Sequence, residues 1–192
     1  MHLPRRAQGL TLIELLMFIV VVGIALTAML RVFITATAAS ADPMIMRQQL
    51  AIAESLLREV QLMPFTWCDP DDANVATATS AIVSPTGCAS IVESSGPESG
   101  ESRYGPTNYF DNVNDYAGFS MSGIRDLSNA AVAGLAGYSA SVAVTPAALD
   151  TLTAGSGDAL KITVTVLGPS GKAADAIVLQ GWRTRYAPAS PY

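Results

Sequence analysis

Residues 10–30 form an almost unbroken apolar run whose single charge is Glu14, and this run limits the possible folds more than any other part of the chain. At a helical rise of about 1.5 Å per residue it extends roughly 30 Å, the thickness of a bilayer's hydrocarbon core. Arg5 and Arg6 precede it and Arg31 alone follows, a bias that predicts a cytoplasmic N-terminus with the bulk of the chain outside. A cleaved secretory signal fits poorly. The run exceeds the usual signal core of about 7–15 residues, and the first small-residue cleavage candidates, Ala36-Thr37-Ala38 and Ala39-Ser40-Ala41, lie well beyond it. An uncleaved signal anchor explains the run but not Glu14. An acid near the membrane interior costs on the order of 3 kcal/mol and is by default a functional residue with a partner.

Gly9-Leu10-Thr11-Leu12-Ile13-Glu14, behind a short basic leader, resembles the processing site of type IV prepilins. The resemblance implies that prepilin peptidase cuts between Gly9 and Leu10 and that the new amino terminus on Leu10 is methylated. The family usually has phenylalanine at the first mature position, where this chain has Leu10. The resemblance further implies that the Glu14 carboxylate meets the α-amino group of Leu10, on a neighbouring subunit or on its own chain before assembly. In low dielectric such a pair is strongly coupled, and removing one member strands a buried charge. The other reading of Glu14 is a protonated side chain, or one that snorkels to the headgroups one turn away.

Beyond the membrane segment, Met46, Leu50, Ala53, Leu57 and Val60 recur at steps of three or four, and Leu56 and Met63 widen the stripe. The period predicts an amphipathic helix, with Arg47, Gln48, Glu54, Arg58 and Glu59 largely on other faces. Glu54 and Arg58, four apart in the favourable order, add about 0.3 kcal/mol. Pro64 ends the helix, and Pro43 predicts a kink or loosened turn near Ala41. The organisation expected is a leader (1–9), a long helix (10–63, with 10–30 transmembrane) and a globular head (64–192).

In the head, glycine, proline, serine and asparagine punctuate short apolar pieces. Residues 138–144, 160–166 and 177–186 alternate in the manner of strands, and Gly168-Pro169-Ser170-Gly171-Lys172 predicts an antiparallel hairpin between the last two. The helical stripe would cover their apolar face, an α+β arrangement. This resembles the type IV pilin fold, a long N-terminal helix packed on an antiparallel sheet. The head is most similar to MSHA-type minor pilins. The residues behind that comparison are Ser40-Ala41-Asp42-Pro43, Met63-Pro64-Phe65, Cys68-Asp69-Pro70-Asp71-Asp72, Phe110-Asp111-Asn112-Val113-Asn114-Asp115-Tyr116 and Trp182-Arg183-Thr184-Arg185-Tyr186. Residues 73–106 offer no such comparison.

Cys68 and Cys88 both fall in the head expected outside the membrane, where an even pair reads most simply as a disulfide; closing a loop of about 20 residues contributes roughly 3 kcal/mol. Two free buried thiols are the alternative. A zinc site lacks ligands, since the sole histidine, His2, lies in the leader. Asp69, Asp71 and Asp72, and likewise Asp111, Asn112, Asn114 and Asp115, are weak candidates for calcium. Neither set follows the EF-hand pattern: Ala73 replaces the third oxygen ligand of the first. No metal or cofactor is expected.

An enzyme is not expected either. The mature chain has no histidine, no nucleophile elbow and no phosphate-cradling glycine loop. Ser94-Ser95-Gly96-Pro97-Glu98-Ser99-Gly100 reads as a flexible loop. The net charge of −5, lowered by two when the leader's Arg5 and Arg6 are removed, offers no basic field for nucleic acid. Arg183 and Arg185 share a strand face, forming either a small patch with Lys161 and Lys172, a solvated surface or an intersubunit contact.

The expectation is a minor pilin that primes, assembles or caps a type IV pilus. Its partners would be major and other minor pilins, prepilin peptidase, the inner-membrane assembly platform and, before assembly, membrane lipid. It would start in the inner membrane with a periplasmic head and end in a surface pilus. The alternatives are a minor pseudopilin of a type II secretion system and an uncleaved membrane-anchored periplasmic binding protein.

Overall fold

The computed structural model describes residues 11–105, 107–187 and 189–190, with the backbone alone for 35–42. The leader and the cleavage pair Gly9 and Leu10 lie outside the described residues. The chain divides into two compact units, one up to Met44 and one comprising Ile45–Tyr192. Helix α1 runs from Leu12–Leu62, through Pro43, and the division between units falls just past that proline.

In the first unit, Leu12–Ile34 is a stretch of 23 residues long and apolar enough to cross a membrane, and none of it is buried by protein. A helix apolar on every face and uncovered needs lipid or partner helices around it. Its hydroxyl at Thr27 is satisfied locally, donating to the Gly23 carbonyl at 2.7 Å, which removes a polar group from that apolar face.

The second unit is an antiparallel meander of four strands: β1 (Ser120–Ser122), β2 (Ser139–Pro146), β3 (Ala159–Leu167) and β4 (Ile177–Thr184), in the order β1-β2-β3-β4. The alternation of β2 and β3 buries Ala140, Val142 and Val144 beside Leu160, Ile162, Val164 and Val166, and the register sets Val142 opposite Val164, which in turn faces Leu179. The three predicted strands and the β3–β4 hairpin are present. β1 is new, a three-residue strand too short to carry a period of its own. Together the long apolar helix and this sheet form a type IV pilin-like α+β fold.

The helix face that joins the core is Gln49, Ile52, Ala53, Leu56 and Val60. Ala53, Leu56 and Val60 of the expected stripe are buried, whereas Gln49 and Ile52 take the covered places expected of Met46 and Leu50. Met46 and Leu50 are 58% and 38% exposed, while Leu57 is only partly covered. Two neighbouring apolar rows run along this helix, and periodicity does not distinguish them; a polar contact does. Gln49 lies on the covered row because its Nε2 donates to the carbonyls of Val166 at 3.1 Å and Asp175 at 2.9 Å. Close approach also requires Gly181 in β4, where a Cβ would sit 3.0 Å from Leu57 Cδ1 and closer still to Gln61.

Arg183 and Arg185 are structural, contrary to the expectation of a patch or solvated face. Arg183 Nη2 donates to the Met63 carbonyl at 2.9 Å, placing a cation at the end of a helix whose last turn has none. Arg185 donates to the Thr66 carbonyl and stacks over Phe65 at 3.9 Å and Trp67 at 4.0 Å. The end of β4 and the residue after it thereby fasten the segment that leaves α1. That segment, residues 64–119, is a long excursion with its own small core of Cys68, Val75, Ala78 and Cys88. Cys68 and Cys88 are joined in a disulfide with 5.4 Å between their Cα atoms.

Candidate functional site

Three pieces of the 64–119 excursion converge. Residues 67–69 and 91–93 run antiparallel: Glu93 N–H donates to the Trp67 carbonyl and Asp69 N–H to that of Ile91, both at 3.3 Å. Gly96 N–H donates to the Asn114 carbonyl at 3.0 Å, which fastens the glutamate-bearing segment to a short 3₁₀ turn, Val113–Tyr116. That turn is held by Asp115, whose Oδ2 accepts the N–H groups of Asp111 at 2.8 Å and Asn112 at 2.7 Å. Asn112 Nδ2 in turn donates to Thr66 Oγ1 at 2.8 Å. The stretch expected to be a flexible loop, residues 94–100, is therefore tied down in its first half, at Glu93 just before it and at Gly96 within it.

These contacts gather seven carboxylates. Oxygens of Glu93, Glu98 and Asp115 lie within 4.8 Å of one another, as do those of Asp69, Glu98 and Glu101 and those of Asp69, Asp71 and Asp111. Asp115 is wholly buried and Asp69 nearly so. Burial, followed by repulsion from Asp115 and Glu98, pushes the Glu93 carboxyl up to about 10. Burial and the neighbouring acids likewise push Glu101 up to about 8 and Asp111 and Asp115 up to about 7, with the backbone donors to Asp115 only partly offsetting its rise.

Of the five aspartates singled out from the sequence, four join this group: Asp69, Asp71, Asp111 and Asp115. Asp72 does not. Its Oδ1 accepts the N–H groups of Asn74 at 2.8 Å and Ala89 at 2.9 Å, and its Oδ2 those of Ser90 at 2.7 Å and Ile91 at 2.8 Å. Burial raises this carboxyl, but the four donors outweigh it and hold the group well below the usual range. Asp72 is a loop clasp beside the disulfide. Sequence reading missed Glu93, Glu98 and Glu101; the available signal was their density in a Ser/Gly/Pro segment between two aspartate-rich ones.

A separate buried network joins helix and head. Arg103 donates from Nε to Glu59 Oε1 at 2.6 Å and from Nη2 to Oε2 at 2.8 Å, and Tyr116 Oη donates to Glu59 Oε1 at 2.7 Å. Glu59, expected on an outer face, is thus the helix's ion-pair partner within the head.

At the other end of α1, Glu14 is exposed in the first turn. Its N–H is 3.1 Å from the Thr11 carbonyl and 3.4 Å from Thr11 Oγ1, so Thr11 and Glu14 stand at the spacing of a helix-start cap, with the acid beside the positive end of the helix. Residues 4–30 match the model of the prokaryotic N-terminal methylation motif. The chain carries a type IV prepilin-like N-terminus. No curated protein and no solved structure matches the chain. A prepilin-like start followed by an uncovered apolar helix suits anchoring in a membrane through this segment.

Proposed function

We propose that this chain is a minor pilin, cut by prepilin peptidase between Gly9 and Leu10, methylated at Leu10, and used to prime, assemble or cap a type IV pilus of the MSHA kind. Its role is structural and non-enzymatic. The observation that carries the reading is the methylation motif over residues 4–30, set at the head of a helix whose Leu12–Ile34 stretch no protein covers. The α+β head supports it, since a subunit held by its helix in a filament displays such a head outward. Glu14 then neutralises the Leu10 α-amino group of a neighbouring subunit within the filament core, where an unpaired charge of either sign is costly. The head remains in the periplasm until assembly carries it to the surface.

Mass spectrometry of the chain purified from cells with active prepilin peptidase tests this directly. The expected species lacks residues 1–9 and begins with N-methylated Leu10. An intact Met1 end, or absence of the polypeptide from both sheared filaments and their inner-membrane initiating complexes, would overturn the reading.

A further inference from the structure

The acidic pocket belongs to the head and not to the helical segment that carries the methylation motif, and its chemistry is unusual. Six of its carboxylate oxygens are buried without a hydrogen-bond donor among the described residues: both of Glu93, both of Glu98, Oδ1 of Asp111 and Oδ1 of Asp115. Asp115 is the telling case. It has no exposed surface, its Oδ2 is fixed by two backbone N–H groups, and its carboxylate lies with those of Glu93 and Glu98 while Oδ1 meets no donor. A buried acceptor without a donor costs free energy unless a cation or a proton meets it.

We propose that this pocket binds Ca²⁺, with Glu93, Glu98 and Asp115 as the inner ligands and Asp69, Glu101 and Asp111 contributed by the adjoining segments. Oxygens bound to one Ca²⁺ ion at about 2.4 Å stand at most about 4.8 Å apart, and each carboxylate triplet is compact enough to share an ion. The donors are all hard oxygens. Zinc or copper would call for nitrogen or sulfur, yet the sole histidine is His2 and both cysteines are in the disulfide. Mg²⁺ keeps several waters and rarely takes an all-protein cage, whereas Ca²⁺ takes six to eight oxygens in flexible geometry. The raised carboxyls describe the same crowding from the side of the proton, which competes with the metal for these oxygens. Arg185, whose charge reaches Glu93, is already committed to the Thr66 carbonyl and to the faces of Phe65 and Trp67. Bound Ca²⁺ would tie the 69–71, 93–101 and 111–115 segments into one surface of the head.

The test uses the full chain in detergent micelles, stripped with EDTA, then titrated calorimetrically with CaCl₂ and melted with CaCl₂ or MgCl₂. The expected result is a saturable heat, with Tm raised by about 3–6 °C at tenfold excess over Kd, and a much smaller response to Mg²⁺. Glu98→Gln and Asp115→Asn should each weaken Ca²⁺ at least about tenfold. Glu98→Gln should also melt in EDTA at or above the wild-type temperature, since it removes one of the crowded charges; a merely structural glutamate would melt lower. Asp126→Asn, in a separate turn, should leave the affinity unchanged. No saturable heat and no Tm shift at about 10 mM Ca²⁺, an equal response to Mg²⁺, or unaltered affinity in both pocket variants would overturn the proposal. None of these outcomes bears on processing at Gly9, so the two readings fail independently.

Discussion

Asp72 shows how one side chain organises a segment with no regular structure of its own. Four backbone N–H groups converge on its carboxylate, and a hydrogen bond to a charged group contributes a net of about 1.5–3 kcal/mol. Asp72→Asn replaces an oxygen with an amide that opposes those donors, and should destabilise the head by about 2–4 kcal/mol at pH 7, read by denaturant melts. The pH dependence has a fixed sign. The folded carboxyl lies below its ordinary value of 3.8, so its stabilisation is complete above about pH 4 and fades as acid protonates it. The gap between wild type and Asp72→Asn should therefore narrow from pH 7 to pH 3; a gap that is constant or widens would contradict the clasp. Arg103 is the second such residue, 6% exposed and paired through two hydrogen bonds with Glu59. Arg103→Ala leaves that carboxylate half-buried with Tyr116 as its remaining donor, and should cost about 3–5 kcal/mol in chemical denaturation.

Among the secondary-structure elements and their connections, the head rests on two different solutions. The α1–sheet layer is apolar packing: Ile52, Leu56 and Val60 against Val142, Ile162 and Val164, with Gly181 permitting the close approach. The 64–119 excursion has only a minor core and relies on the Cys68–Cys88 disulfide, the Asp72 clasp and the Arg185 stack instead. A double Cys68→Ser, Cys88→Ser variant should lose roughly 3 kcal/mol, the chain-entropy value for a loop of this length. Hydrogen exchange would localise the effect: amides of 69–92 should lose protection while those of β2 and β3 keep theirs. Equal loss across the sheet would show that the excursion and sheet unfold as one.

For the intact subunit, the two units divide the labour. The first is a helix with no protein cover from Leu12–Ile34, which gains a home only in lipid or among other helices; the second holds its own core and the acidic pocket. Glu14→Ala should therefore leave the melting of the head unchanged within about 0.5 kcal/mol while lowering the amount of the chain recovered in sheared filaments. Normal recovery would remove the charge-pairing role from Glu14. Met46 and Leu50, apolar yet 58% and 38% exposed, lie on the surface that the head presents alongside its helix, and their burial in an assembly would follow the same logic.

The apolar run, the methylation motif and the strand alternation of 139–146 and 159–167 are local patterns, so the chain declared them on its own: one long helix, an antiparallel sheet, a prepilin-like start. Periods of 3.6 and 2 survive in any context. Which of two adjacent helical rows faces the sheet did not follow from period, because both are apolar and the choice rests on where Gln49 finds the carbonyls of Val166 and Asp175. The acidic pocket was legible only in halves. Asp69, Asp71, Asp111 and Asp115 were visible as clusters, but Glu93, Glu98 and Glu101 lay in a segment with no period at all, and Asp72 looked equivalent to its neighbours. Folding brought together carboxylates more than 40 positions apart and gave Asp72 to the backbone, since proximity between distant loops is set by long-range hydrogen bonds and a disulfide that no local pattern encodes.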